Sequence, residues 1–477
     1  MNRAKTPDTG NHPEAISFWL WAYRAVARRL PGIERTLHGA YYHARHLRPS
    51  RFRRSVSWGC EILATIRRRQ KEPQLTVGVD VTALWESLTG VGWYLYQLLD
   101  HLKDSPHVKI RLYGPSIVQS PDLSSPKVES LPHGLALETV LYEIPNDLAL
   151  SQGTLIKILR WFEPLLIRFD ANSVLFAPNY LLPKNFRFCR GVRVSTVHDL
   201  GFRKVPWSLR EHTLEDLRCN FAPAVFGSAR LISVSSAIRD ELQAFGYASP
   251  SRVEVIHHGP GQLAQNPKPL RPSDESKDDA GYFVLHVGTI EPRKNVEALI
   301  AAWPYLRRVL DPCPVLVLSG RYGWKSEDLQ TKIQQGTEEG WIRHLGYVTT
   351  DRLAKLYKLA SVVVFPSHYE GFGLPAIEAM WSGAPLVCSD LPALREVAGE
   401  AALYFEPDRP EILADRLQSV LTDSILRADL IRNGYARIGE FSWESAAKNT
   451  LTTWYRADGA PPPWSQEEQP TRLPADD

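Results

Sequence analysis

The residues of this chain that could do chemistry fall in a few short stretches where carboxylates, cations and glycines interrupt apolar runs. The longest is FPSHYEGFGLPAIEAMWSGAPLVCSD, from Phe365 to Asp390. It passes from a strand (Val362 to Phe365) through Glu370, Gly371 and Gly373 into a helix with Pro375 in its first turn and Gly383 at its end. Two glycines allow close backbone approach, and the free amides of a helix start attract an anion, so the loop suits a diphosphate. Glu378, eight residues after Glu370, stands among Ala376, Ile377, Ala379 and Met380. A carboxylate in that setting needs donors, and the vicinal hydroxyls of a ribose or hexose supply a pair of them. The second stretch is HVGTIEPRKNVEALIAAW, from His286 to Trp303. It sets Arg293 and Lys294 before a helix whose apolar face is Val296, Leu299, Ile300, Trp303 and Leu306, with Asn295 as the expected N-cap. Cations there oppose the helix dipole unless an anion lies between, so the pair reads as metal-free neutralisation of phosphate charge. Taken singly, these glutamates and cations would be loop and surface charges. Together, beside a glycine loop, they read as one anion site.

Two further places carry weaker signals. DVTALWESLTGVGWYLYQLL from Asp80 has Gly90 and Gly92 between a strand and an apolar helix, which suits a phosphate or acceptor contact. It lacks the third glycine of the dinucleotide fingerprint, so NAD or FAD binding is disfavoured. His198 and Asp199 end the strand RVSTVHD, at the carboxyl edge where α/β proteins bind ligands; a lone histidine there is equally a structural one. No Walker loop, HExxH, GxSxG or convincing DxD-like pair occurs, which argues against an NTPase, a zincin and a serine hydrolase and leaves no expected metal site.

These residues need strands and helices to position them. Between residues 73 and 263, β-rich runs begin at 75 (LTVGVD), 109, 173, 193, 231 and 253, separated by helical stretches. Residues 264–280, AQNPKPLRPSDESKDDA, read as a linker. A second series begins at 282 (YFVLHVGT), 315, 342, 361, 385 and 402, spaced for one crossover helix each. The expected fold is therefore α/β, with two doubly wound Rossmann-like domains facing a cleft, the second over 281–440. Pro304 predicts a kink or early end in its helix, and the Pro-rich tail 459–477 is expected to be disordered.

The 477 residues are 44% hydrophobic and 23% charged, which suits two globular cores and excludes a single small module. Five scattered cysteines fit a reducing cytosol, and the absence of a long uncharged apolar run or a signal-like start leads us to expect a protein neither secreted nor membrane-spanning. Residues 1–72 carry 15 Lys and Arg against 5 Asp and Glu, or +10, so the remainder of the +3 chain is −7. Within that segment Ile16, Trp19, Leu20, Tyr23, Ala27 and Leu30 fall at helical spacing, and a basic run ends at Arg67, Arg68 and Arg69. It reads either as peripheral contact with an anionic membrane or as helices packed on the main body with a solvated basic face. Nucleic-acid binding is not expected.

The chain resembles the GT-B glycosyltransferases, specifically the retaining glycosyltransferase family 4. The resemblance covers most of 74–457 and is strongest over 282–407, where GTxxPRKN, the EGFGLPxxEAM loop and SGAPLVCSD occur in order. TGVG, TVHDL and ISVSSAIRDEL fall where that family has its acceptor-domain loops, and FSWESAAKNTLTTWY (residues 441–455) is similar to its crossover helix.

The resemblance implies that Arg293 and Lys294 bind the nucleotide diphosphate. Glu370 and the amides of Gly371, Phe372, Gly373 and Leu374 would hold the donor sugar, with His198 reaching across the cleft. Glu378 would bind the ribose and the loop at Gly346 and Tyr347 would read the base, while Gly288, Gly90 and Gly92 complete the donor contacts. It further implies a metal-independent hexosyltransferase without a cofactor, acting at the cytoplasmic face of a membrane in polysaccharide biosynthesis. The donor would be GDP-mannose or a UDP-hexose, the acceptor a glycan or lipid-linked glycan. A binding-only relative, or a GT-B epimerase or phosphorylase, shares the architecture; both glutamates and both cations together favour transfer. The chain departs from the family at Trp93, where arginine is common, at His257-His258-Gly259-Pro260, and in residues 1–72.

Overall fold

The structure is a computed structural model that describes residues 75–84, 90–113, 172–179, 191–261 and 281–466. The expectations for 1–72, for the linker 264–280 and for the end of the tail lie outside the described residues. Both sheets described below belong to one compact unit of the chain.

The first sheet has the order β2-β1-β3-β4-β5-β6, all parallel: β1 (Leu75–Asp80), β2 (Val108–Tyr113), β3 (Val174–Ala177), β4 (Val192–Val197), β5 (Arg230–Ser233) and β6 (Val253–Val255). Its described helices are α1 (Gly90–Leu102), the short α2 (Gly201–Lys204), α3 (Glu211–Gly227) and α4 (Ser236–Ala244). The second sheet has the order β12-β11-β10-β7-β8-β9, also all parallel. It contains β7 (Phe283–Val287), β8 (Val315–Ser319), β9 (Ile342–Gly346), β10 (Val362–Phe365), β11 (Leu386–Ser389) and β12 (Ala402–Phe405). Its helices are α5 (Val296–Val309), α6 (Glu327–Glu338), α7 (Thr350–Leu359), α8 (Leu374–Trp381), α9 (Pro392–Ala398), α10 (Pro410–Thr422) and α11 (Ser424–Ile438), followed by α12 (Trp443–Asp458).

The strand sequences explain the layering. β10 is VVVF and buried throughout, because a parallel strand covered by helices on both faces has no polar side. In the second sheet the strand order reverses between β7 and β10, which are hydrogen-bonded neighbours. Such a reversal leaves a crevice at the carboxyl ends of the two strands. The cationic stretch follows β7 and the glycine loop follows β10, so both motifs meet at that crevice.

Two expectations are corrected. α5 does not end at Pro304 but runs five residues further to Val309. Pro304 lies on the exposed face, where a carbonyl losing its N–H partner can turn to water, while Val296, Leu299, Trp303 and Leu306 anchor the other face in the core. The tail from Gly459 holds structure as far as a 3-10 turn at Pro463–Gln466. There Trp464 packs edge-on against His107 and Tyr455, at 5.6 and 6.1 Å between ring centroids. α12 packs on α1 and on β3, β4 and β5. It carries Trp443 and Trp454 into the first sheet's core, with Trp454 edge-on to Phe176 at 5.1 Å.

Candidate active site

Arg293 and Lys294 lie in a 3-10 turn, Pro292–Lys294, between β7 and α5. Their compensation is carboxylate rather than a helix dipole. Lys294 Nζ donates to Glu370 Oε1 at 2.7 Å, Arg293 Nη1 stands 3.0 Å from the same oxygen, and Arg293 Nη2 stands 3.0 Å from Glu291 Oε1. Arg293 Nη1 also donates to the Tyr369 carbonyl at 3.1 Å, and Lys294 lies over the Phe365 ring at 4.8 Å. Burial alone would raise the Glu370 carboxyl, but the two cations outweigh it and hold it at about 2. Burial pulls Lys294 the other way, below its ordinary value, with Glu370 opposing. The site is thus a desolvated arrangement of two cations and two carboxylates, with both cations converging on Glu370 and Glu291 pairing with Arg293.

Asn295 is not the side-chain cap expected of it. It adopts a left-handed conformation (φ 53°), and its amide donates to the carbonyls of Pro366 (3.1 Å) and Pro407 (2.9 Å), tying the cationic turn to the strand that leads into the glycine loop. Under the turn lies His286, whose ring meets the Val364 carbonyl through Nδ1 at 3.2 Å; burial lowers its pKa to about 4. Gly288 follows it, and a Cβ built there would stand 3.7 Å from both His286 Nε2 and Lys294 Cε.

The glycine loop is shaped by two different demands. Gly373, at φ 111°, caps α8 in a conformation that a side chain resists, with Leu374 and Pro375 opening the helix behind it. Gly371 is pressed against the opposite domain: a Cβ there would lie 1.8 Å from the His198 carbonyl oxygen. The loop is further tied to the first domain by Ser235 Oγ, which donates to the Gly371 carbonyl at 2.7 Å. Tyr369 OH accepts from the Leu200 amide at 2.9 Å and donates to Glu241 at 2.7 Å. Phe372 is buried at this junction.

Glu378 is 4% exposed, and its Oε2 accepts from the Tyr357 hydroxyl at 2.8 Å. The embedded carboxylate therefore has a protein donor on α7, and its Oε1 faces Gly261, where a Cβ would approach to 2.5 Å. Tyr347 is half exposed beyond β9, with the Arg321 guanidinium 4.9 Å above its ring.

On the first domain, His198 Nε2 pairs with the Pro178 carbonyl at 2.8 Å, an arrangement in which the ring N–H donates. Burial lowers its pKa, so the ring is neutral. Gly90 opens α1 and a Cβ there would stand 3.8 Å from Leu374 Cδ1, bringing the TGVG turn to the glycine loop; Gly92 supplies another first-turn amide. Trp93 is buried and packs edge-on to Tyr96 at 5.7 Å, so the side chain at this position joins the core and presents no charge to the cleft. The structure thus brings together Arg293, Lys294, Glu370, Gly371, Phe372 and His198, with Gly90 reaching Leu374. Tyr347 stands apart on its own loop.

Sequence reasoning missed the cross-domain struts. Besides Tyr369, Glu241 and Ser235, Glu396 on α9 accepts from the Ser236 and Ala237 amides at the start of α4 (2.7 and 3.1 Å) and pairs with His257 at 2.7 Å. Only SxxE-like capping at a helix start is visible locally; here the capping carboxylate comes from 160 residues away.

Residues 268–437, which contain both the cationic turn and the glycine loop, match the family model of glycosyl transferases group 1. Over those residues the chain is similar to the group 1 glycosyl transferases. The chain is 29% identical over 389 residues to the O-antigen chain mannosyltransferase B of Escherichia coli, covering 77% of the chain and 96% of that protein. It is 31% identical over 224 residues to the serotype-specific mannosyltransferase WbdA of Escherichia coli, of which it spans 25%. Among solved structures, sucrose-phosphate synthase from Thermosynechococcus elongatus superposes with a TM-score of 0.59 at 22% identity, over 80% of this chain and 99% of that one. Anabaena Alr3699/HepE, solved with UDP and glucose, superposes with a TM-score of 0.58 at 19% identity over the same shares. The chain has the GT-B fold of two Rossmann-like domains. Among its described residues, no helix is long and apolar enough to cross a membrane.

Proposed function

We propose that the chain is a retaining, metal-independent hexosyltransferase of family 4, moving a mannose-type sugar from a nucleotide diphosphate to a glycan or lipid-linked acceptor in polysaccharide assembly. The observation that carries the reading is the convergence of Arg293 and Lys294 on Glu370 at the strand-order reversal, beside the amides that open α8. In that arrangement the two cations take up the charge of the departing diphosphate, the role a divalent ion fills elsewhere. Glu370 and the Gly371–Leu374 amides orient the sugar, His198 contacts it from the other face, and Glu378 takes the ribose diol. The bond from the anomeric carbon to the phosphate oxygen breaks, the acceptor oxygen bonds that carbon from the same face, and its proton passes to the leaving phosphate. No protein nucleophile takes part.

The mannose assignment is supported by the name of the Escherichia coli relative that the chain matches along most of its length, an O-antigen chain mannosyltransferase. A nucleotide-sugar donor is supported by the UDP complexes of its structural neighbour. The basic, aromatic segment 1–72 supports peripheral contact with the anionic inner face of the cytoplasmic membrane. The test is calorimetric titration of UDP, GDP and ADP without divalent metal into wild type and Glu378→Ala. Micromolar binding of one nucleotide, weakened by the substitution, is expected; no binding by wild type would overturn the reading.

A further inference from the structure

His258 is a buried imidazole that the reading above leaves without a task. It is 3% exposed and neither ring nitrogen has a hydrogen-bond partner. Four rings from four parts of the chain enclose it. Tyr94 of α1 stacks on it at 4.7 Å and Trp443 of α12 at 5.5 Å, while Phe372 of the glycine loop lies at 4.9 Å and His198 at 5.6 Å. Burial first, then the neighbouring His198 and His257, keep its pKa well below the usual histidine range, so the ring is neutral and carries one N–H. Leaving that N–H unpaired in a dry setting is unfavourable, and a phenylalanine would fill the same space without the penalty.

A neighbouring imidazole is that of His198, with ring centroids 5.6 Å apart. Its Nε2 is engaged with Pro178, which leaves Nδ1 as the acceptor nitrogen. An N–H···N bond of about 3 Å between two imidazoles places their centroids roughly 5 Å apart, slightly closer than the 5.6 Å seen here. Such a bond requires the junction to tighten by a few tenths of an ångström. We propose that His258 is a positioning residue for His198: its N–H donates to His198 Nδ1 as the cleft closes on the donor, holding the ring and its tautomer while Nε2–H turns from the Pro178 carbonyl to a sugar hydroxyl. This rests on the reading of His198 as a donor-sugar contact.

The test compares His258→Phe, which keeps the stack and removes the N–H, with His258→Asn, which restores a donor. For the Phe variant the expected result is an unchanged or higher Tm, nucleotide Kd within about twofold of wild type and kcat lower by about 10- to 100-fold, the scale of a misplaced group at the reacting centre. The Asn variant recovers part of that loss. Wild-type turnover in the Phe variant, or an Asn variant no better than Phe, overturns the proposal. If the Phe variant does not fold, nitrogen NMR of His198 in the wild-type protein decides. A shift of Nδ1 to a hydrogen-bonded acceptor on adding UDP or GDP supports the proposal, and an unmoved Nδ1 in protein that binds the nucleotide overturns it. Absence of nucleotide binding by wild type is a separate result, and it removes the donor-site reading itself.

Discussion

The two faces of the cleft are made of opposite materials. On the second domain the site is formal charge: Arg293, Lys294, Glu291 and Glu370 are in direct pairs of 2.7 to 3.0 Å. On the first domain, apart from the carboxylates of Asp199 and Glu241, it is neutral: His198, His258 and Tyr94 are uncharged rings held by stacking and by bonds such as Tyr94 OH to Thr196 Oγ1 at 3.0 Å. Charge gathers where a diphosphate would be held and developing negative charge must be met. Neutral groups line the face where hydroxyls would be oriented, because an uncompensated charge buried there would be costly.

Removing charge from the second face has the largest expected effect. Lys294→Ala and Glu370→Ala each lower transfer by about 100-fold, as loss of a preorganised electrostatic contact does; near-normal steady-state rates in both would break the comparison. Gly371→Ala acts on the seam between the faces. Its Cβ must move away from a carbonyl 1.8 Å distant, and we expect about a 10-fold loss of kcat with nucleotide binding retained. A stronger effect on nucleotide Kd than on kcat would place Gly371 with the charged face alone.

A third expectation concerns His286, a neutral ring beneath the charged face. Its pKa falls from 6.5 to about 4 in the folded protein, through burial first and then Lys294. A depressed native pKa means that the unfolded chain takes up a proton that the folded one refuses. Stability is therefore full above about 6.5 and declines as pH falls toward 4, by on the order of 3 kcal/mol at the limit. Denaturant titrations between about pH 7 and pH 5 should show a shallower slope in His286→Phe; an unchanged slope would assign the acid sensitivity to other groups. The smallest expected effect is that of EDTA, which should leave transfer intact because Arg293 and Lys294 supply the positive charge. Complete loss restored by manganese would show that the charged face is incomplete without a metal.

The charged face was the legible one. Arg293 and Lys294 adjoin in sequence, Glu370 and its glycines share one loop, and both loops follow apolar strands whose spacing announces a parallel sheet. The neutral face was harder to read. His198 stood at a strand end without a partner in view, and His258 appeared only as a departure from a family turn. Tyr369 and Glu396 carried no local signal, because the atoms they bond lie 128 and 160 residues away. Asn295 and Pro304 misled for a shared reason: a cap and a helix break are local preferences, and each was overridden by contacts made at a distance.

By itself the sequence determined the strands, the two-domain order and the residue types of an anion site, since these depend on hydrophobic period, glycine placement and neighbouring charges. Tertiary structure alone decided that Glu370 is the counter-ion of both cations, that Gly371 touches His198, and that a neutral histidine lies between four rings at the junction of the domains. Those facts depend on where the two sheets place their loops against each other, and distances between residues far apart in the chain are fixed only when the cores have packed.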